Sequence, residues 1–306
     1  MQCGEWVLSN MITKKGKNIN RKFMVLLVIF LLILVASIGI FKHAEYKWAG
    51  SLIDAVRQND ITKAEQLLLK KCYSIDAQGK GSWLAVWVEP INAPETSLQV
   101  ACDESKYDFV KLFIDNGADV NKEGSTRLTP LLYTLQSTES DDYKIVESLV
   151  KNGADVDEWS TEGQPPLIAA ASMSTYKNDK YNQKKAKEIV KIYSLLLKYA
   201  ENKVPEERDY KGNALMAAVN MNNLELIEYI SNAQHININS KDKLGWTSLF
   251  YIEPDNKKDN TDISIKVARL LIKLGADKSI KDNKGKTAYD YALENKYEYL
   301  AKVLKP

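Results

Sequence analysis

Any reaction run by this 306-residue chain would have to be built from two histidines, three cysteines, scattered carboxylates and one GKT tripeptide. His43 stands beside a long apolar run and His235 lies in the polar stretch SNAQHININS, so both read as surface residues, and histidine-based nucleophilic or general-base chemistry is poorly supplied. Cys3, Cys72 and Cys102 show no CxxC spacing, which argues against a zinc knuckle or a disulfide framework. Cys72 and Cys102 read as two buried thiols, with one bridge between them as the alternative in an oxidising compartment. GKT at Gly285–Thr287 suggests a phosphate loop, but that motif needs a glycine five residues before Gly285, and Ile280 stands there. The acidic run DNKKDNTD, Asp255–Asp262, lacks the central Gly and closing Glu of a calcium loop. We therefore expect no catalytic residue, no metal, no cofactor and no small-molecule substrate.

The charge pattern points to a membrane rather than to nucleic acid. FMVLLVIFLLILVASIGIF, Phe23 to Phe41, holds 19 residues without a charge, 15 of them Leu, Ile, Val or Phe. As a helix it spans about 28 Å, close to the hydrocarbon thickness of a bilayer. Its apolar core is longer than that of a cleaved signal peptide, so it reads as a retained signal anchor, although Ser37-Ile38-Gly39 offers small residues where a peptidase could cut. Lys14, Lys15, Lys17, Arg21 and Lys22 precede the span, against Lys42, Lys47 and Arg57 after it. This bias places the N-terminus in the cytoplasm and the rest outside it. Tyr46 and Trp48 fall where interfacial anchors would sit. Beyond residue 42 the chain is mildly acidic, with no basic stripe for a phosphate backbone. The expected organisation is a basic tail over 1–22, a transmembrane helix over 23–41, a linker over 42–50 and a large domain over 51–306.

That domain repeats itself. NGADV occurs at Asn116–Val120 and Asn152–Val156, and LGADKS echoes it at Leu274–Ser279. Before these turns run TSLQVA from Thr96, TPLLYT from Thr129, PPLIAAA from Pro165, NALMAAV from Asn213, GWTSLF from Gly245 and GKTAYDYA from Gly285, with a first copy, SLIDAV, from Ser51. Thr96, Thr129 and Thr287 suit helix N-caps. Ala55, Ala101, Ala170, Ala218 and Ala292 share one repeat position where a small side chain lets helices approach. Gly117, Gly153 and Gly275 suit a left-handed helix stop. Thr134 and Ile252 replace the alanine in repeats three and six, where looser packing is expected. Inserts stretch the spacing near 72–94, 172–185 and 253–261.

This pattern resembles the ankyrin repeat, with its T-P-L-H-x-A opening and period near 33 residues. The resemblance runs from Ser51 to the C-terminus in about seven copies. It implies an all-α solenoid of stacked helix-turn-helix repeats with projecting turns, here preceded by one transmembrane helix. It also implies a non-enzymatic protein that binds a protein partner. Candidate anchors for that partner are the tryptophans Trp159, on a turn tip, Trp246, at a helix opening, and Trp83 and Trp87, in an insert that would instead lie over the first repeats as a lid. The expected setting is extracytoplasmic, at a bacterial inner membrane and periplasm, since 22 asparagines include no Asn-x-Ser/Thr site. The alternative is a secreted or periplasmic inhibitor, of the immunity type, that neutralises a toxin or hydrolase.

Overall fold

A computed structural model describes residues 21–70, 73–77, 95–124, 127–136, 142–157, 164–177, 180–200, 214–233, 236–254 and 263–306. The chain begins there with α1 (Arg21–Arg57), one unbroken helix of 37 residues. Toward its start it is bare, with Leu26 64% and Ile40 71% exposed, whereas further along Trp48 is 8% exposed and Leu52 fully buried. The linker expected over 42–50 is therefore helix. Its Lys42, His43, Glu45 and Lys47 look like linker residues but are all compatible with a helix, and no proline interrupts them. Gly50 costs roughly 1 kcal/mol of helix propensity, and packing offsets it. Trp48 meets Tyr73 at a ring separation of 5.9 Å and donates from Nε1 to the Leu67 carbonyl at 3.3 Å. Trp48, expected at a membrane interface, thus belongs to the core of the first repeat.

Seven helix pairs follow in the described residues. The first helices are the end of α1, α3 (Ser97–Asp103), α5 (Pro130–Gln136), α7 (Pro166–Ala171), α9 (Ala214–Asn220), a 3₁₀ turn (Ser248–Tyr251) and α12 (Ala288–Glu294). The second helices are α2 (Ile61–Leu69), α4 (Tyr107–Asp115), α6 (Asp142–Lys151), α8 (Gln183–Tyr199), α10 (Leu224–Ala233), α11 (Ile263–Lys273) and α13 (Glu298–Leu304). Each first helix packs on the next, as a solenoid requires. Ala55, Ala101, Ala170 and Ala218 are fully buried along this seam, and Ala292 nearly so. The insert after α7 forms a two-residue antiparallel hairpin, β1 (Tyr176–Lys177) with β2 (Lys180–Tyr181), and lengthens α8 to 17 residues.

Local chemistry sets the helix ends. Thr96 and Gln99 close a reciprocal capping box on α3, and Thr287 and Asp290 do the same on α12. Thr129 Oγ1 accepts from the Leu132 N–H at 3.4 Å. Gly117, Gly153 and Gly275 take φ of +85°, +89° and +100°, the left-handed stop that a β-carbon would disfavour. Thr134 does not loosen its repeat: it is fully buried, and its hydroxyl donates to the Pro130 carbonyl at 3.1 Å. Repeat six does differ. Pro254 lacks an N–H and disfavours helix at Glu253, so the first helix shrinks to four residues of 3₁₀ turn.

The projecting turns lock to one another through asparagine. Asn121 Nδ2 donates to the Gly153 carbonyl and its Oδ1 accepts from the Asp155 N–H, both at 2.9 Å. Asn239 repeats this on the Gly275 carbonyl at 3.1 Å and the Asp277 N–H at 2.8 Å. In the first repeat Asp76 takes the acceptor half, receiving the Asp119 N–H at 2.9 Å. One side chain thus reads the turn of the next repeat on both edges.

Candidate protein-binding surface

One position on each first helix lies just before the seam alanine or its replacement. It reads Asp54, Val100, Tyr133, Ala169, Ala217, Tyr251 and Tyr291 along the solenoid. The tyrosines are tethered by their hydroxyls: Tyr133 donates to Glu95 at 3.1 Å, Tyr251 to Asp242 at 2.7 Å and Tyr291 to Asp282 at 2.7 Å. The middle repeats carry alanine there, so aromatic surface concentrates at the C-terminal end.

That end is organised around Asp282. Its Oδ1 accepts from the Lys284 and Lys286 N–H groups, each at 2.9 Å, shaping the turn before α12. Its Oδ2 accepts from the Tyr291 hydroxyl and, at 3.2 Å, from Trp246 Nε1 of the preceding repeat. Burial pushes this carboxyl up, but the Tyr291, Lys286, Lys284 and Trp246 donors outweigh that and hold it below 3.8. The same carboxylate pushes the Tyr291 phenol up. Asp242 shapes the equivalent turn in the preceding repeat, accepting from the Leu244 and Trp246 N–H groups at 2.8 and 2.7 Å. The turns also pack on one another: a β-carbon on Gly245 would stand 2.6 Å from Asn283 Oδ1 and 2.9 Å from its backbone nitrogen.

Trp246 stacks on Phe250 with ring centroids 5.8 Å apart and an interplanar angle of 15°. Tyr251 and Tyr291 present their edges to the indole at 5.7 and 5.6 Å. Lys286 lies 5.3 Å from the Tyr291 ring centroid and grips both Glu294 oxygens at 2.7 and 2.8 Å. Beside this cluster opens a groove of about 400 Å³ lined by Trp246, Phe250, Ile252, Pro254, Tyr291 and Leu304. It exists because the short 3₁₀ turn of repeat six leaves space that a full first helix would fill. The groove suits an apolar or aromatic side chain, since its rings are rigid and half-exposed while their polar tips are already bonded.

Of the four tryptophans singled out from sequence, Trp246 lies in this cluster, held by Asp282. Trp83, Trp87 and Trp159 lie outside the described residues, as do His235, Cys72 and the Asp255–Asp262 run. Phe250, Tyr251, Tyr291 and the two aspartates were missed. Their signal was present: DxxGxT followed by Tyr nine residues after the Asp occurs at Asp242/Tyr251 and again at Asp282/Tyr291. For chemistry, the described residues offer little. No group of three or more His, Cys, Asp or Glu side chains among them is placed to hold a metal ion. Burial pushes the Cys102 thiol up to about 12, despite a hydrogen bond with Thr134, so it is a poor nucleophile.

Comparison with known proteins bears on the fold. The family model "Ankyrin repeats (3 copies)" matches residues 52–160, 98–200 and 215–305. Among solved structures, the ankyrin repeat domain of human ASB11 superposes with a TM-score of 0.59 at 18% identity, covering 83% of this chain and 95% of that one. The ankyrin repeat domain of Bcl-3, an IkappaB-family protein, superposes with a TM-score of 0.55 at 17% identity, covering 84% of this chain and 98% of that one. A comparison with curated protein sequences found no match. At such identities the likeness is one of fold, and it agrees with the seven stacked pairs, the capped first helices and the left-handed glycine stops. With the family model spanning most of its length, the chain belongs to the ankyrin-repeat family.

Proposed function

We propose that this is a non-enzymatic, membrane-anchored ankyrin-repeat protein that binds a protein partner on the extracytoplasmic side of a bacterial inner membrane. One observation carries the anchoring: from Leu26 to Phe41 the large apolar side chains of α1 stand exposed, and none of the window is buried in the fold. A core helix of a soluble protein would be covered. A helix with all backbone groups paired and bare apolar sides suits lipid. The side of the membrane follows from the basic residues before the span. The partner follows from the family, whose repeats serve as interaction modules, and from the aromatic groove at the C-terminal end.

The deciding experiment is protease accessibility of a C-terminal tag in intact and permeabilised cells. Digestion once only the outer barrier is opened, with a fragment of full-length mass before digestion, is the expected outcome. A tag protected until the inner membrane is breached would place the repeats in the cytoplasm and overturn the assignment of side. A shortened fragment would overturn retention of the span. In the same cells, a photo-crosslinker in place of Phe250 should capture a discrete protein band that one in place of the exposed Leu69 does not. Equal capture from both positions would remove the groove from the proposal.

A further inference from the structure

The turns of this solenoid sit at a defined end of the stack. Each first helix is entered from its turn, and the first helices lie side by side in one sequence order. α1 is the first of them, so the end from which it leaves toward Leu26–Phe41 is the end that carries the turns. Contacts around the exit agree. Tyr73, just past α2, packs on Phe41 at 5.5 Å and on Trp48. Three residues later Asp76 starts the row of turn-to-turn bonds by accepting from Asp119. The row of turns therefore begins beside the point where α1 meets the bilayer.

The turns are not alike in charge. The turn entering repeat three is balanced, with Asp119 and Glu123 against Lys122 and Arg127, and the one entering repeat four carries Asp155 and Asp157. Those of the last two repeats carry four exposed lysines, Lys241, Lys243, Lys281 and Lys284, with Leu244 39% exposed among them. Asp242 and Asp282 lie between these lysines in sequence, but both are buried and turned inward onto backbone N–H groups and tyrosine hydroxyls. Asp277 remains exposed nearby. Lys278 and Lys286 are engaged within the domain, by the Lys305 carbonyl and by Glu294. Lys241 donates to the Lys281 carbonyl at 2.8 Å, a neutral acceptor that ties the two turns together and leaves the ammonium charge in place. What faces outward is a basic rim around an exposed leucine.

We propose that the turns of the last two repeats rest on the bilayer that α1 crosses. Lys241, Lys281 and Lys284 meet anionic phospholipid headgroups, and Leu244 sits at the apolar boundary. The inference depends on the reading of Leu26–Phe41 as a membrane span. Lipid is favoured over an acidic protein because α1 aims this end of the stack at the membrane, and because lysines flanking an exposed apolar side chain suit an interface where ammonium groups stay wet and the leucine does not. The balanced and acidic turns between offer anionic headgroups no net attraction, so the solenoid stands as an arch on two feet, α1 and the C-terminal turns.

The test uses the full chain in vesicles, with Cys3 and Cys72 replaced by serine and an environment-sensitive fluorophore on Leu244→Cys. A second preparation carries it on Asn295→Cys, in a loop at the opposite end of the stack. With about one third anionic phospholipid and a quencher on the headgroups, quenching at 244 should exceed that at 295 by about threefold. It should fall to the 295 level in neutral vesicles, in about half-molar salt, and in K241E/K243E/K281E/K284E. Circular dichroism of that exposed quadruple variant should match the original. Equal quenching at both sites, or quenching at 244 that ignores salt and charge, would overturn the inference. So would quenching that survives the quadruple variant. Flotation with vesicles after an alkaline wash separates the two readings: failure to float sinks the anchor itself, whereas flotation without quenching sinks only the contact of the turns.

Discussion

At the scale of single residues, the carboxylate of Asp282 has the most work in the C-terminal repeats. It ends the turn before α12, holds Tyr291 and reaches back to Trp246 in the preceding repeat. Its folded-state pKa lies below 3.8, so its stabilisation is present above that value and is lost as pH falls through the lower folded value. Asp282→Asn keeps the shape but not the charge and is expected to destabilise by about 1–3 kcal/mol near neutrality. The gap from the original chain should close below pH 3.8, which unfolding curves across pH would show. A gap that persists in acid would assign the effect to shape. The threonine caps were legible in the sequence because they answer to neighbours three residues away, and the seam alanines because they recur at one repeat position. The role of Asp282 was not, because its side-chain partners Tyr291 and Trp246 lie nine residues on and in another repeat. The two aspartates stood in plain view, but only the folded turn aims them inward.

At the scale of elements, the turns act as connectors between helix pairs. Asn121 makes two bonds to the next repeat, and Asn239 makes the same two further along. Replacing either by Ala removes both, at an expected cost of about 1–2 kcal/mol each, and the pair should add because the sites share no partner. Asn121→Asp, which keeps the acceptor and loses the donor, should fall between. Urea midpoints at unchanged slope are the measurement, and an Asn121→Ala chain as stable as the original would refute the connector role. The repeated NGADV made the glycine stops readable, whereas the second half of its purpose, the asparagine after it, needed the neighbouring turn to be seen. The linker over 42–50 was misread for a related reason. Its polar residues carry no signal against helix, and Trp48 commits to the core only through Tyr73 and Leu67, more than 18 residues away. Repeat six was expected to depart from the others, and the form of that departure comes from Pro254, which ends its first helix before a second turn can form.

At the scale of the whole molecule, the repeats and the exposed apolar segment Leu26–Phe41 share one helix, and under the proposed anchoring this bears on how long the protein stays where it is put. Ectodomains are usually shed from membranes by cleavage in an extended stalk, because a protease must seat several residues of unfolded backbone. Between Phe41 and Leu52 this chain offers only hydrogen-bonded helix, braced by Trp48 and Tyr73. Limited proteolysis of the full chain in vesicles should therefore leave residues 42–50 uncut while other sites are cleaved. Gly50→Pro, which breaks that helix at a cost of roughly 3 kcal/mol, should open the segment and let the repeats appear in the supernatant. Early cutting at 42–50 in the original chain would contradict this. Under the proposed anchoring, a protein built so has no release step: its residence at the membrane would end with degradation of the whole chain, and its abundance there would follow from synthesis and turnover.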